Sequence, residues 1–195
     1  MTEALQQNAA ELELAANSDS LTGLPNRKSF TEAAEHLLQQ SKIDDAPFAV
    51  CFIDLNRFKA INDNYGHRRG DELLVTIARR LQRLLKSTRR LNPNATFVPG
   101  RLGGDEFAVA VNRLDRTAMH LFASGLADQF ALPFQEAGDY SISSSIGIAE
   151  KQSSECVLST LLHFADVAMY DAKQQGDNQI VFYKEPGVGS RAVDG

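Results

Sequence analysis

Thr96-Phe-Val-Pro-Gly-Arg-Leu-Gly-Gly-Asp-Glu-Phe-Ala-Val-Ala-Val111 consists of two strand-like runs around a glycine pair. Thr96 to Leu102 and Phe107 to Val111 read as strands, and Gly103-Gly104 between them signals a hairpin, because glycine tolerates the positive φ of tight turns. The second run is apolar on both faces, which places it inside a sheet rather than at an edge. The turn therefore hangs from a central hairpin, and it can aim Asp105 and Glu106 at the end of a neighbouring strand.

That neighbour is Phe48-Ala-Val-Cys-Phe-Ile-Asp54, a second run apolar on both faces that ends on a carboxylate. Helices are predicted around the two strands. One spans about Lys28 to Gln40, after a turn at Asn17 to Arg27 punctuated by Ser, Asp, Gly and Pro. From Gly70, Leu73, Leu74, Ile77, Leu81, Leu84 and Leu85 form one apolar stripe, with Arg79, Arg80 and Arg83 expected opposite it. Met119, Phe122, Leu126 and Phe130 mark another helix, and Leu158 to Ala172 a long final one. Tyr140, Ile142, Ile146 and Ile148 alternate with Ser141, Ser143, Ser145 and Gly147, the period of a half-buried strand, and Gln179 to Tyr183 closes the sheet. The expected fold is α+β, a mixed central β-sheet flanked by helices, with an N-terminal helix. Residues 1–17 are expected to form a connector helix in which Leu5, Ala9, Leu12 and Ala16 keep the spacing of a coiled-coil seam. Residues 18–184 form the domain and 185–195 a tail.

The composition narrows the function. With 195 residues, 43% of them hydrophobic and 23% charged, the chain can bury a core without disulfide staples. Its densest apolar run, Phe48 to Ile53, is far short of the roughly 18 residues that span a bilayer. Met1-Thr2-Glu3 lacks the basic start of a secretory signal, so a cytoplasmic location and no membrane partner are expected. A formal net charge of -5 argues against a nucleic-acid partner. The basic run Lys86 to Arg90 fits the end of a helix, where cations suit the dipole.

Chemistry concentrates at the carboxylates. Asp54, ending a buried strand, is placed to reach a crevice at the sheet edge and hold a divalent cation, or to cap the helical turn that begins near Arg57. Asp105 and Glu106 are the acids of a Gly-rich turn, either solvated or facing Asp54; acids from two strands around one crevice suit phosphoryl transfer assisted by Mg²⁺. Asn56-Arg57-Phe58-Lys59 opens a short helical turn whose backbone N–H groups, with Lys59, suit a phosphate. Asn62 and Asp71 together can read a guanine edge, because a carboxylate accepts from the ring N–H and the exocyclic amine; Asp71 after Gly70 equally suits a helix cap.

Six segments in order then resemble one family. Asp19-Ser-Leu-Thr-Gly-Leu-Pro-Asn-Arg27, Phe52-Ile-Asp-Leu-Asn-Arg-Phe-Lys-Ala-Ile-Asn-Asp-Asn-Tyr-Gly-His67, Gly70-Asp71, Arg101-Leu-Gly-Gly-Asp-Glu-Phe107, Ser144-Ser-Ile-Gly147 and Ala168-Met-Tyr-Asp-Ala-Lys173 are similar to the successive motifs of the GGDEF family, the diguanylate cyclases. The resemblance implies a fold like nucleotide cyclases and polymerase palms. It also implies synthesis of cyclic di-GMP from two GTP, with a homodimer of half-sites in which each 3′-hydroxyl attacks the other α-phosphate and pyrophosphate leaves. On this resemblance Asp54, Asp105 and the backbone carbonyl of Leu55 hold Mg²⁺ or Mn²⁺, and Glu106 joins the metal site or helps remove the 3′-proton. Backbone amides near Arg57 and Phe58, with Lys59 and Lys173, bind the triphosphate, and Asn62 and Asp71 the base. The motif itself is Gly103, Gly104, Asp105, Glu106 and Phe107. Input is expected from an upstream sensor domain outside this chain.

Three positions depart from the family's pattern. Asp177 stands where an Arg often touches phosphate, although Gly176-Asp177 also reads as a turn ending the last helix with the Asp in water. Asn94 and Phe97 occupy the positions of the family's inhibitory Arg-x-x-Asp, so that product-binding site is expected to be missing. Asn56 replaces a common Asp. Asp177 also favours a second reading, a catalytically degenerate GTP-binding module that regulates a partner domain. If Asp71 reads guanine, Asp71→Ala weakens the preference for GTP over ATP by roughly 1.5 to 3 kcal/mol, the worth of hydrogen bonds to a charged group. Competition binding of the two nucleotides measures it, and an unchanged preference in a folded variant assigns the base contact elsewhere.

Overall fold

The computed structural model describes residues 16–134 and 142–184. Most of the expected connector helix over 1–17, the whole tail over 185–195 and Tyr140 of the predicted strand lie outside the described residues. The strands are β1 (Phe48–Asn56), β2 (Thr96–Gly103), β3 (Glu106–Asn112), β4 (Ser143–Glu150) and β5 (Ile180–Phe182). They form one sheet in the order β2-β3-β1-β4-β5. β1 is central and antiparallel to both β3 and β4, and β4 is parallel to β5, so the sheet is mixed as expected. Pro99 sits in β2 at an edge, where a missing N–H is tolerated.

Alternation along β1 distributes the core. Ala49, Cys51, Ile53 and Leu55 point to one face, beneath helices α3 (His67–Leu91) and α4 (Arg116–Ala131). Phe48, Val50 and Phe52 point to the other, beneath α1 (Arg27–Ile43) and α5 (Leu158–Gln175). Asp54 continues the second set, so the first polar residue of that row emerges on the face that α5 covers. Local signals start two of the helices: Asn26 accepts from the Ser29 amide at the head of α1, and Asp115 from the Ala118 amide at the head of α4.

Two glycines let helices approach the sheet. A Cβ on Gly147 in β4 would stand 2.0 Å from the Ala165 carbonyl oxygen and 2.1 Å from the Met169 nitrogen, so α5 lies directly on that strand. A Cβ on Gly100 in β2 would meet Phe30 of α1 at 2.7 Å.

Three expectations are corrected. The helix expected from Gly70 begins at His67, one residue beyond α2 (Phe58–Tyr65), because Gly66 with φ 82° ends one helix and turns the chain into the next. Arg80, expected on the solvated stripe, is buried; it donates to the carbonyls of Gln129, Leu132 and Pro133 at 3.2, 2.7 and 2.8 Å and lies over the Phe134 ring. It thereby serves the free carbonyls at the end of α4. β4 is not half-solvated: Ser145 and Gly147, of the row expected in solvent, are buried, since small residues are what permit α5 to close over the strand. Phe97 is also buried, packed at 5.4 Å against the Phe122 ring, so this position serves the core.

Gly147→Ala should lower the denaturation midpoint by an amount corresponding to roughly 1–3 kcal/mol or more, because the clash is with helix backbone, which cannot change rotamer. Chemical denaturation measures this; an unchanged midpoint would show that α5 rides outward without loss.

Candidate active site

The C-terminal end of β1 meets the tip of the β2–β3 hairpin. Gly103 pairs with Glu106, leaving Gly104 and Asp105 as the two turn residues, with φ values of 154° at Gly103 and 48° at Gly104 that favour glycine. The Leu55 amide donates to the Asp105 carbonyl at 3.3 Å, which ties the turn to β1. Asp54 lies directly opposite Glu106 in the register, so both side chains leave the same face of the sheet.

A buckle outside the sheet holds the turn. Arg101 donates from Nε and Nη2 to the Gly104 carbonyl at 3.0 and 2.7 Å, and from Nη1 to both carboxylate oxygens of Asp19 at 2.9 and 3.1 Å. Asp19 is fixed in turn by the amide and hydroxyl of Thr22. Burial works against the charge of Asp19, but hydrogen bonds from Thr22 and Arg101 outweigh it and hold the carboxyl below its ordinary value. Arg27 adds a second strut, donating from Nε to the Leu102 carbonyl at 3.0 Å and pairing through Nη2 with Glu106 at 3.2 Å. Arg101, Asp19 and Arg27 shape the site without appearing among the residues expected to bind substrate or metal. The available signal was the Asp-x-x-Thr turn, together with an Arg two positions before a glycine pair.

The acids share one electrostatic problem. Burial, then the charge of Asp54, raises the Asp105 carboxyl above its ordinary value despite Lys173 and Arg101 nearby. Burial also raises Glu106, partly offset by Arg27 and reinforced by Asp105 and Asp54. Lys173, from the last turn of α5, answers this by placing Nζ 2.7 Å from Asp54 Oδ1. Asp54 therefore lies within β1 and does not cap a helix; the N-cap of α2 is Arg57, at φ 61° and with no side-chain cap bond. Among the described residues no three His, Cys, Asp or Glu side chains converge closely enough to hold a metal. The hard oxygens available are the Asp54 and Asp105 carboxylates and the Leu55 carbonyl, with Glu106 turned toward Arg27. That donor set suits Mg²⁺ or Mn²⁺, which keep several positions for water and substrate phosphates.

Asn62 of α2 lies against the start of α3, at Gly70. A Cβ on Gly70 would stand 2.0 Å from Asn62 Oδ1, so only glycine lets that amide lie across the start of α3, and Asp71 is the next residue. Asp71 is the fifth residue of α3, not its cap, and it is exposed, as is Lys59 on α2. Asp177 follows Gly176, the C-cap of α5 at φ 121°, and is turned toward the β1–α2 turn. Its Oδ1 accepts from the Ser143 hydroxyl at 2.9 Å, and its Oδ2 lies 3.4 Å from Arg57 Nη2. Asn56 completes the network, donating to Ser143 Oγ at 3.1 Å and accepting from the buried Ser145 hydroxyl at 2.9 Å.

Because Asp105 ionises less readily folded than unfolded, its neutral form favours the fold below the unfolded value, and that contribution is lost as pH rises through the raised folded value. Asp105→Asn should therefore raise the denaturation midpoint near pH 7, and the gain should shrink toward the ordinary carboxylate value of about 3.9. A midpoint that falls at pH 7 would contradict the balance of charges described for this turn.

Comparison with known proteins agrees with the geometry. The family model described as "Diguanylate cyclase, GGDEF domain" matches residues 16–179. The bifunctional diguanylate cyclase/cyclic di-GMP phosphodiesterase MucR of Pseudomonas aeruginosa is 39% identical over 175 residues, 89% of this chain and 24% of MucR. Diguanylate cyclase TpbB, also of Pseudomonas aeruginosa, is 37% identical over 187 residues, 93% of this chain and 41% of TpbB. The cyclic di-GMP phosphodiesterase PdeR of Escherichia coli is 32% identical over 88% of this chain and 25% of its own length. This chain thus spans well under half of these relatives. The crystal structure of the TpbB GGDEF domain superposes with a TM-score of 0.73 at 35% identity, covering 84% of this chain and 99% of that one. On the strength of the matched motifs, the hairpin that carries them and these likenesses, the chain belongs to the GGDEF family.

Proposed function

We propose that this domain is a diguanylate cyclase, condensing two GTP into cyclic di-GMP with loss of two pyrophosphates. The observation that carries the reading is the meeting of Asp54 at the end of β1, Asp105 in the β2–β3 turn and Lys173 from the last turn of α5. In this reading Asn62 and Asp71 read guanine. The backbone amides of Arg57 and Phe58, which no side chain caps, receive phosphate oxygens together with Lys59 and Lys173. Asp54, Asp105 and the Leu55 carbonyl would hold Mg²⁺ or Mn²⁺, which supplies charge stabilisation at the α-phosphate and the departing pyrophosphate. Glu106, its carboxyl raised by burial, either takes the proton of the attacking 3′-hydroxyl or completes the metal site after release from Arg27. The new bond joins a 3′-oxygen to the α-phosphorus, and the bond to pyrophosphate breaks. Each chain supplies one half-site, so two chains must face one another.

The second reading, a GTP-binding regulator without turnover, draws on Asp177 in place of a phosphate-binding Arg. It also draws on the likeness to PdeR, a relative named for phosphodiesterase activity. One experiment separates the two: incubation with GTP and Mg²⁺ over a range of protein concentrations, with the product identified. Cyclization predicts cyclic di-GMP formed at a rate that rises faster than linearly with enzyme concentration. Asp105→Asn should lower that rate at least roughly a hundredfold, a few kcal/mol of barrier. GTP bound without product at any concentration would establish the regulatory reading instead.

A further inference from the structure

Lys173 stands against the carboxylate that a metal at this edge would use. Its Nζ is 2.7 Å from Asp54 Oδ1, so a divalent cation on that oxygen would lie close to the ammonium and be repelled by it. The two side chains are unequally enclosed, Asp54 at 11% exposure and Lys173 at 45%. The carboxylate is thus fixed while the lysine has an open path away. The backbone that carries the lysine cannot withdraw easily, because Gly147 seats α5 on β4 one turn earlier, at Met169. Release must therefore come from the four-carbon stem alone, which has the rotamers for it.

We propose that Lys173 is a placeholder cation, neutralising Asp54 while the metal site is empty and yielding it, when metal arrives with nucleotide, to become a ligand of the triphosphate. The inference rests on the reading of this edge as the GTP and metal site. Its consequence is a coupling. Free metal must displace the ammonium and gains nothing from it, so the apparent metal affinity falls in proportion to the fraction of sites the lysine leaves open. Metal that arrives with a triphosphate displaces the same ammonium onto a new anion, so the two ligands reinforce each other. The site thereby discriminates against bare divalent cation in favour of the metal–nucleotide complex.

The two roles of Lys173 predict effects of opposite sign in one variant. Lys173→Met should bind Mn²⁺ alone roughly three- to tenfold more tightly than the parent, the worth of a partly exposed ion pair and its charge, read by the loss of the free Mn²⁺ paramagnetic resonance signal. The same variant should bind a non-hydrolysable GTP analogue in the presence of Mn²⁺ roughly tenfold or more weakly, read by calorimetry. Lys173→Arg, which keeps the cation, should stay near the parent for Mn²⁺ alone. Circular dichroism establishes that each variant is folded. Mn²⁺ affinity that is unchanged or weaker in Lys173→Met overturns the proposal, as does an equal gain in Lys173→Arg, which keeps the ion pair. If the parent binds Mn²⁺ but not the GTP analogue, the reading of the site as a GTP site fails. If the analogue binds and Mn²⁺ affinity does not respond, only the placeholder fails.

Discussion

The direct seating of α5 on Gly147 sets the geometry of the end of β1 where the acids meet. With an alanine Cβ held about 2 Å from helix backbone atoms, the sheet and helix could not keep their present separation. That separation determines where the last turn of α5 emerges, and it brings Lys173 to Asp54 and Asp177 to the β1–α2 turn. The arrangement of charged groups at this end thus depends on a residue that touches none of them. A glycine in the middle of a strand forgoes side-chain packing and carries an entropic cost, and here the compensation is a close helix–sheet contact.

The second constraint is that β1 is covered on both faces and still ends in a carboxylate. Burial there drives the row Phe48, Val50, Phe52 into the α1 and α5 layer and leaves Asp54 as its next member. Charge brought to such a position needs a counter-charge, since desolvation disfavours the ionised form. Lys173 supplies one, and the Asp19–Arg101–Gly104 buckle keeps the second acid, Asp105, from swinging into water on a glycine turn. The motif that bears the family's signature is therefore braced from two sides by segments far away in sequence.

How much of this was legible follows from which interactions are local. The hairpin, the central strand and the helices follow from period-2 and period-3.6 patterns and from turn residues, all written within a few positions of each other. The approach of Asp105 to Asp54 is legible because one acid ends a buried strand and the other sits in a glycine turn beside a run apolar on both faces. Arg80 was misplaced because its partners, the carbonyls ending α4, lie some fifty positions away and leave no trace in the local pattern around it. The serines of β4 looked like a solvent face for the same reason; small polar residues mark either exposure or a close helix, and only the tertiary arrangement decides. The start of α3 was placed three residues late because Gly66, not Gly70, breaks the helix, while Gly70 serves the approach of Asn62.

Asp177 shows how a departure from a family pattern changes meaning once its neighbours are known. As an isolated substitution of anion for cation it would repel a triphosphate. In the fold its carboxylate lies beside the Arg57 guanidinium and accepts from Ser143, and Asn56 and Ser145 carry that network back into the sheet. The pair is largely exposed and worth little to stability on its own. Its effect is on charge and shape: Arg57 offsets the anion at the point where the α2 backbone amides begin, and the β1–α2 turn gains a fixed partner across the crevice. Asn56 is the appropriate residue for that role, since an amide can donate to one serine and accept from another, whereas the carboxylate common at this position could only accept. The two departures at 56 and 177 therefore belong to one rearranged polar network, and neither can be judged without the other.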